Sequence, residues 1–194
     1  GPVVVDVPKN IMNQTAPYGG KTAFTRTSYK PRTQGDAKAV EKAVELMSSA
    51  KRPIFYVGGG VIKANAHREL LEIANLLGAP VVTTLMARGA FPDSHPLHLG
   101  MPGMHGTVPA VTSLQKADLL ITLGARFDDR VTGDVKSFAP GAKVIHVDID
   151  PAEIGKIRFA DVPIVGDAKD VIIELIAEIS AGKNIPDMKE WWQF

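Results

Sequence analysis

Cysteine is absent from the 194-residue sequence, which excludes disulfides, thiolate nucleophiles and cysteine-based metal sites. An excess of one charge sign is missing too. The 22 Lys+Arg and 21 Asp+Glu leave a formal charge of +1, and the basic residues are scattered along the chain. Without a basic stripe or block, nothing points to nucleic acid or to an anionic membrane as a partner. No apolar run approaches the roughly 18 residues that span a bilayer, and no signal-peptide pattern opens the chain, so a soluble protein is expected. The histidines (His67, His95, His98, His105 and His146) show no recognised ligand spacing, and no metal site is expected. Nucleophile elbow, P-loop and kinase signatures are lacking as well. What is present is 45% hydrophobic and 22% charged, with enough length for one sizeable core plus attached linker.

Helix and strand patterns alternate from residue 35 onward. Asp36 is placed to cap a helix whose Val40, Ala43, Val44 and Met47 fall on one face. The buried strand Pro53–Val57 ends at Gly58-Gly59-Gly60, and a second helix follows with Leu70, Ile73, Ala74 and Leu77 on its apolar side. Gly78-Ala79-Pro80 stops it and leads into a strand over Val81–Leu85. Residues 86–106 read as a long irregular loop, which in a compact domain is usually functional or mobile. A short helix over Thr107–Gln115, strands over Asp118–Leu123, Lys143–Asp148 and Val162–Val165, and a last helix over Ala168–Ile179 complete the pattern. The strands are continuous apolar runs, as in a parallel sheet covered on both faces by helices. Five are counted, with room for a sixth. The core domain is set at 35–181, preceded by a linker-like 1–34 and followed by a tail, 182–194. The chain opens in mid-strand on Gly1-Pro2-Val3-Val4-Val5, which suggests a piece of something longer. Trp191, Trp192 and Phe194 are expected to pack against something outside this chain.

In such a sheet, ligands bind beyond the carboxyl ends of the strands, so the strand ends are the candidate sites. Gly58-Gly59-Gly60 would let a phosphate-bearing ligand approach backbone, with a tight turn as the alternative. The standard dinucleotide fingerprint fails there: position 63 is Lys63, and Thr84-Leu85-Met86 supplies no acid. Gly124-Ala125-Arg126-Phe127-Asp128-Asp129-Arg130-Val131-Thr132-Gly133 crowds two arginines and two aspartates beyond an apolar strand, a pattern that periodicity alone reads as a charged surface loop. Arginine pairs with phosphate or carboxylate through its planar fork, and one aspartate is expected to orient Arg126 or Arg130. Asp148 is a candidate for ribose hydroxyls, with Asp150 as a helix cap, Pro151 at the first helical position and Glu153 in that turn. Gly166-Asp167 repeats the pattern, again with helix capping as the alternative. Taken together, the strand ends indicate nucleotide binding without specifying the nucleotide. His146, inside a strand, is expected to be a core residue bonded to a neighbour.

Five segments also carry a resemblance: Gly58-Gly59-Gly60-Val61-Ile62, Thr83-Thr84-Leu85-Met86, Gly103-Met104-His105-Gly106-Thr107, Gly124–Gly133 and Asp148-Ile149-Asp150-Pro151. In this order they resemble the central domain of the acetohydroxyacid synthase (acetolactate synthase) large catalytic subunit family, over Gly1 to about Ile179. The resemblance implies a six-stranded parallel, Rossmann-like sheet of the DHS-like NAD/FAD-binding type that binds FAD in an extended pose, without redox turnover. Gly58, Gly59 and Gly60 would approach the ribityl and phosphate portion. Thr84, Leu85, Met86, Met104 and His105 would border the flavin, and Gly124, Ala125 and Arg126 the cofactor's middle. Asp148 and Ile149 would meet the adenosine ribose and adenine, and Gly166, Asp167 and Ala168 the adenine end. Asp128, Val131 and Glu153 join the cofactor-side set. Arg130, also in that set, would face the carboxylate of a second 2-oxo acid and contact herbicides.

The family is thiamine-diphosphate and Mg2+ dependent, and condenses pyruvate with pyruvate or 2-oxobutyrate in branched-chain amino acid biosynthesis. By that likeness, 1–34 is the end of an N-terminal thiamine-binding (Pyr) domain with a linker, and 182–194 leads to a C-terminal domain. Its other implied partners are those missing domains, a second copy of the chain and a regulatory subunit, in a bacterial-type cytoplasm or an organelle. The GDG…NN motif that holds magnesium and diphosphate is not matched: Gly133-Asp134 and Gly166-Asp167 lack the second glycine and a downstream Asn-Asn pair. The chain alone is therefore expected to be inactive. Two alternatives stand beside this reading, a non-catalytic NAD- or ADP-binding module and a structural spacer.

Overall fold

The computed structural model describes residues 3–20, 30–182 and 185–193. The chain divides into two compact units, Gly1–Lys30 and Pro31–Phe194. In the first, a single turn of helix, α1 (Lys9–Met12), is the one regular element among the described residues. Residues 3–8 form no strand there, contrary to the mid-strand opening read from the sequence. Among the described residues of this unit there is no second strand for that run to pair with. Residues 21–29 of the expected linker, and Phe194, lie outside the described residues.

The described residues of the second unit form six strands: β1 (Pro53–Val57), β2 (Val81–Thr83), β3 (His98–Gly100), β4 (Leu119–Leu123), β5 (Lys143–Asp148) and β6 (Val162–Val165). Their spatial order is β3-β2-β1-β4-β5-β6, and every pairing is parallel. This is the order of the doubly wound nucleotide-binding folds. Helices α2 (Ala37–Ser49), α4 (His67–Leu77) and α7 (Ala168–Ser180) cover one face. The other is covered by α5 (Val108–Lys116) together with Phe127, Phe138 and Ala139. Alternate strand residues serve the two layers, as a pleated strand requires: Phe55 and Val57 point to the first, Ile54 and Tyr56 to the second.

The helix patterns hold. Asp36 accepts from the Ala39 amide, Thr107 from Ala110 and Asp167 from Lys169, each capping the helix that follows. The apolar positions named for α2 and α4 are all buried. Five details differ from the sequence reading. The segment after Gly58 is two helices, α3 (Gly59–Lys63) and α4, separated at Asn65, whose φ of 53° ends the first. β2 stops at Thr83, and Leu85–Ala87 is a 3-10 turn. The stretch 86–106 contains the sixth strand, β3, too short and too poor in apolar residues to show a period. Beyond Asp150 there are turns instead of a helix. Asp150 Oδ1 accepts from the Ala152 amide at 2.9 Å, an Asx turn that takes the place of a cap.

The fifth correction concerns the tail. Trp191, in α8 (Lys189–Trp192), is only 6% exposed, and its indole N–H donates to the Pro53 carbonyl at 3.0 Å. Trp192 donates to the Gly78 carbonyl at 2.9 Å. The tail therefore folds back on β1 and the end of α4, because a buried indole needs both an apolar wall and an acceptor and finds both here.

Candidate functional site at the carboxyl edge

The chain winds outward from β1 to β3, then crosses to the other side of β1 and winds from β4 to β6. The reversal places the loops after β1 and β4 side by side, at the switch point where a ligand crevice forms. The two loops touch backbone to backbone. Gly58 and Gly60 donate to the carbonyls of Leu123 (2.9 Å) and Gly124 (3.1 Å). A Cβ on Gly58 would overlap the Gly124 carbonyl, and one on Gly124 would lie 2.6 Å from the Gly60 Cα. Gly124 also has φ +57°, a conformation that costs other residues. These glycines are needed first for loop-on-loop packing. All three of their N–H groups are spent inside the protein, that of Gly124 on the Val147 carbonyl, and what they offer a ligand is a floor free of side chains.

His146 fastens the same loop from below. It is buried in β5, and its Nε2 donates to the Ala125 carbonyl at 2.9 Å, which is the neighbour bond expected of a core histidine. A carbonyl can only accept, so Nε2 carries the proton. Burial, ahead of its other influences, lowers the imidazole pKa below the ordinary histidine value. Phe127 is the second fastening. It adopts φ 55°, is buried, and packs on Tyr56 and His146 with ring centroids 5.3 Å away in each case. Burial and the nearby Asp128 charge raise the Tyr56 pKa. An aromatic residue amid Arg and Asp was the sequence's only sign of this anchor. Arg158, which no motif or period singles out, donates to the carbonyls of Val135, Phe138, Ala139 and Ala142 and so braces the following loop.

With the floor fixed, the charged groups point outward. Arg126 is 71% exposed at its side chain and pairs with Asp128 at 2.7 Å. Asp128 also accepts from the Arg130 amide at 3.0 Å, capping the short helix α6 (Asp129–Thr132). That amide, and then Arg126, hold its carboxyl below the ordinary aspartate pKa. The expected orienting aspartate is thus Asp128. Arg130 is exposed, and its carbonyl accepts from Met104 at 3.1 Å. That contact brings the loop after β3 onto α6, over a cleft of about 380 Å³ lined by Gly103, Met104, Arg130, Val131 and Phe138.

The remaining candidates lie along the same edge. Leu85, Met86, Met104 and Ile149 are 71%, 75%, 68% and 45% exposed. Thr84 is half-buried and His105 exposed. Asp148 Oδ1 accepts from the Asp150 amide at 2.9 Å, and Glu153 pairs with Lys156 at 2.8 Å. Gly166 lies under the Thr33 carbonyl, 2.9 Å from where its Cβ would stand, and the Asp167 amide donates to that same oxygen. Ala125 and Ala168 are buried, so each can meet a ligand only through backbone. Among the described residues no cluster of His, Cys, Asp or Glu could hold a metal ion, and no helix is long and apolar enough to cross a membrane.

Comparison with known proteins agrees with this architecture. The family described as "Thiamine pyrophosphate enzyme, central domain" matches residues 40–175. The chain belongs to that family. Within the thiamine pyrophosphate enzyme central domains, it is similar to the acetolactate synthase large subunit of Corynebacterium glutamicum, 56% identical over 98% of this chain and 31% of the relative. It is equally similar to the acetolactate synthase large subunit IlvB1 of Mycobacterium tuberculosis, 56% identical over 100% of this chain and 32% of the relative. A probable acetolactate synthase large subunit of Methanocaldococcus jannaschii is 47% identical over 98% of this chain and 33% of the relative. The chain spans about a third of the length of these curated relatives.

Proposed function

We propose that this chain is the FAD-binding central domain of an acetolactate synthase, the thiamine-diphosphate enzyme that joins two 2-oxo acids. One observation carries the cofactor assignment. The switch-point crevice has a side-chain-free floor at Gly58, Gly60 and Gly124, flanked by exposed Leu85, Met86, Met104 and Ile149 and by the outward Arg126. A long ligand that is part apolar ring and part diphosphate matches that surface. The bound flavin supplies an apolar, planar surface and does no redox work in this reading.

The chain's residues have positional tasks. Gly58, Gly59 and Gly60 leave room for the ribityl and phosphate portion. Arg126, steered by Asp128, offers its fork to the diphosphate, a charge-assisted pairing. Leu85, Met86, Met104 and His105 shield the ring from water. Asp148 and Ile149 receive the adenosine end, with Gly166, Asp167 and Ala168 beyond them and Glu153 beside them. Arg130 faces the carboxylate of the second 2-oxo acid across the Met104 cleft. The GDG…NN thiamine motif is not matched in these 194 residues, so the chain alone makes no acetolactate from pyruvate; acetolactate formation by the purified chain would refute that.

Titration with FAD, ADP and NAD, read by melting temperature and flavin fluorescence, tests the assignment. FAD is expected to bind most tightly. A preference for ADP or NAD would instead make the domain a nucleotide module of another kind, and retained folding with no nucleotide bound would make it a spacer.

A further inference from the structure

Between β2 and β3 the chain makes an excursion, 84–97, that carries Leu85 and Met86 at its start. Four side chains meet behind it. Arg88 NH2 donates to both carboxylate oxygens of Asp93 at 2.8 Å. Asp93 Oδ1 lies 3.2 Å from His98 Nδ1. His98 Nε2 lies 3.0 Å from Thr83 Oγ1, and Arg88 NH1 donates to that same oxygen at 3.3 Å. The contacts close a ring: Arg88, Asp93, His98, Thr83 and back to Arg88. Thr83 is fully buried and the His98 side chain is 3% exposed. The two ring members Thr83 and Arg88 bracket the 3-10 turn Leu85–Ala87 in sequence, so the ring grips that turn at both ends.

Donor and acceptor accounting fixes the protons. A carboxylate only accepts, so the His98 proton belongs on Nδ1, facing Asp93. Nε2 is then an acceptor, the Thr83 hydroxyl donates to it, and the Thr83 oxygen accepts from Arg88. Every group in the ring is satisfied with a neutral imidazole. A second proton would place N–H on Nε2, reverse the Thr83 hydroxyl and add positive charge 3.5 Å from Arg88 NH1. The charged and titratable groups around His98 are Asp93, Arg88 and His95. Burial, the largest influence, and Arg88 lower its pKa, while Asp93 opposes them.

We propose that Thr83, Arg88, Asp93 and His98 form a positioning lock, closed while His98 is the neutral Nδ1–H tautomer, that holds Leu85 and Met86 in their outward placement on the carboxyl edge. The consequence for ligand affinity rests on the FAD reading above. None of the four residues touches the ligand in that reading. They act through the turn.

The test uses the full chain and two variants, Asp93→Ala, at an exposed residue, and Thr83→Val, which keeps shape and removes the hydroxyl. Imidazole nitrogen NMR of the native chain at pH 7.5 should show His98 as Nδ1–H. Asp93→Ala should move it toward Nε2–H, and amide exchange at Leu85–Arg88 should quicken in both variants relative to α4. FAD affinity should fall about two- to tenfold in each variant, the range that one lost hydrogen bond supports. Acidification to pH 5.5 should weaken native binding by a similar factor and change the Asp93→Ala variant less. An Nε2–H tautomer in the native chain would overturn the lock. So would variants whose tautomer and exchange match the native. If the native chain binds no FAD at either pH, the cofactor reading fails, and tautomer and exchange alone decide the lock.

Discussion

Two parts of the carboxyl edge are built on opposite principles. The inner crevice, between β1 and β4, is held by backbone against backbone: Gly58 and Gly60 pack on Gly124, with Phe127 and His146 beneath. The outer part, between β2 and β3, is held by a ring of polar side chains around a turn whose apolar residues face water. A backbone contact has no proton to lose and no rotamer to change, so the floor is fixed. A side-chain ring can be opened by one proton or one truncation. A long ligand that spans both would be gripped by a rigid middle and adjusted at one end.

The largest expected effect breaks the inner side. Gly124→Ala puts a methyl against the Gly60 backbone at 2.6 Å in a left-handed conformation, where nothing can yield by a rotamer change. A loss of about 3–5 kcal/mol is expected from urea unfolding, overpacking and backbone strain together. Gly89→Ala is the matched control in the outer part. Its φ is +88° but its Cβ would meet open space, so only the strain remains, about 1–2 kcal/mol. Equal losses at the two sites would undo the contrast.

Next in size is Trp191→Ala, expected to cost about 3 kcal/mol for a buried indole that also loses its bond to Pro53. An unchanged unfolding midpoint would restore the reading of a tail that packs elsewhere.

Acid separates the two parts by a smaller amount. Both His98 and His146 have lowered pKa values when folded. The unfolded chain therefore binds protons that the folded chain refuses, and folding stability is full above about pH 6.5 and declines as pH falls through the lower folded values. Urea midpoints between pH 8 and pH 5 should show that decline, and His98→Gln, which has no proton to take up, should remove only the His98 share. A midpoint that rises on acidification would contradict both assignments. The smallest expected effect is that of Arg126→Ala. The exposed Arg126–Asp128 pair contributes no more than about 0.5 kcal/mol to stability, while FAD affinity should fall about tenfold.

The sequence disclosed the inner part better than the outer one for a physical reason. Burial leaves a period: Val40, Ala43, Val44 and Met47 write one helix face, and Pro53–Val57 is apolar because both of its sides are covered. Glycines at Gly58–Gly60 and Gly124 announced a close approach, although what approaches each loop is first the other loop. The ring of Thr83, Arg88, Asp93 and His98 has no such signature. Its members are spread over 16 positions and meet only because β3 pairs beside β2, a strand of three residues with no apolar run to reveal it. Trp191 was misplaced for the opposite reason. An aromatic tail reads as a surface for a partner until the carbonyl of Pro53 is seen beside it.

In the proposed function, one ligand lies across the whole carboxyl edge. Mapping backbone amide shifts of the chain on addition of FAD tests it most directly. The perturbed amides are expected to form a contiguous set running from Leu85 and Met86 through Gly58–Gly60 and Gly124–Arg126 to Asp148, Ile149 and Gly166–Ala168. Shifts confined to the face around Trp191 and Trp192, or no shifts at saturating FAD, would contradict it.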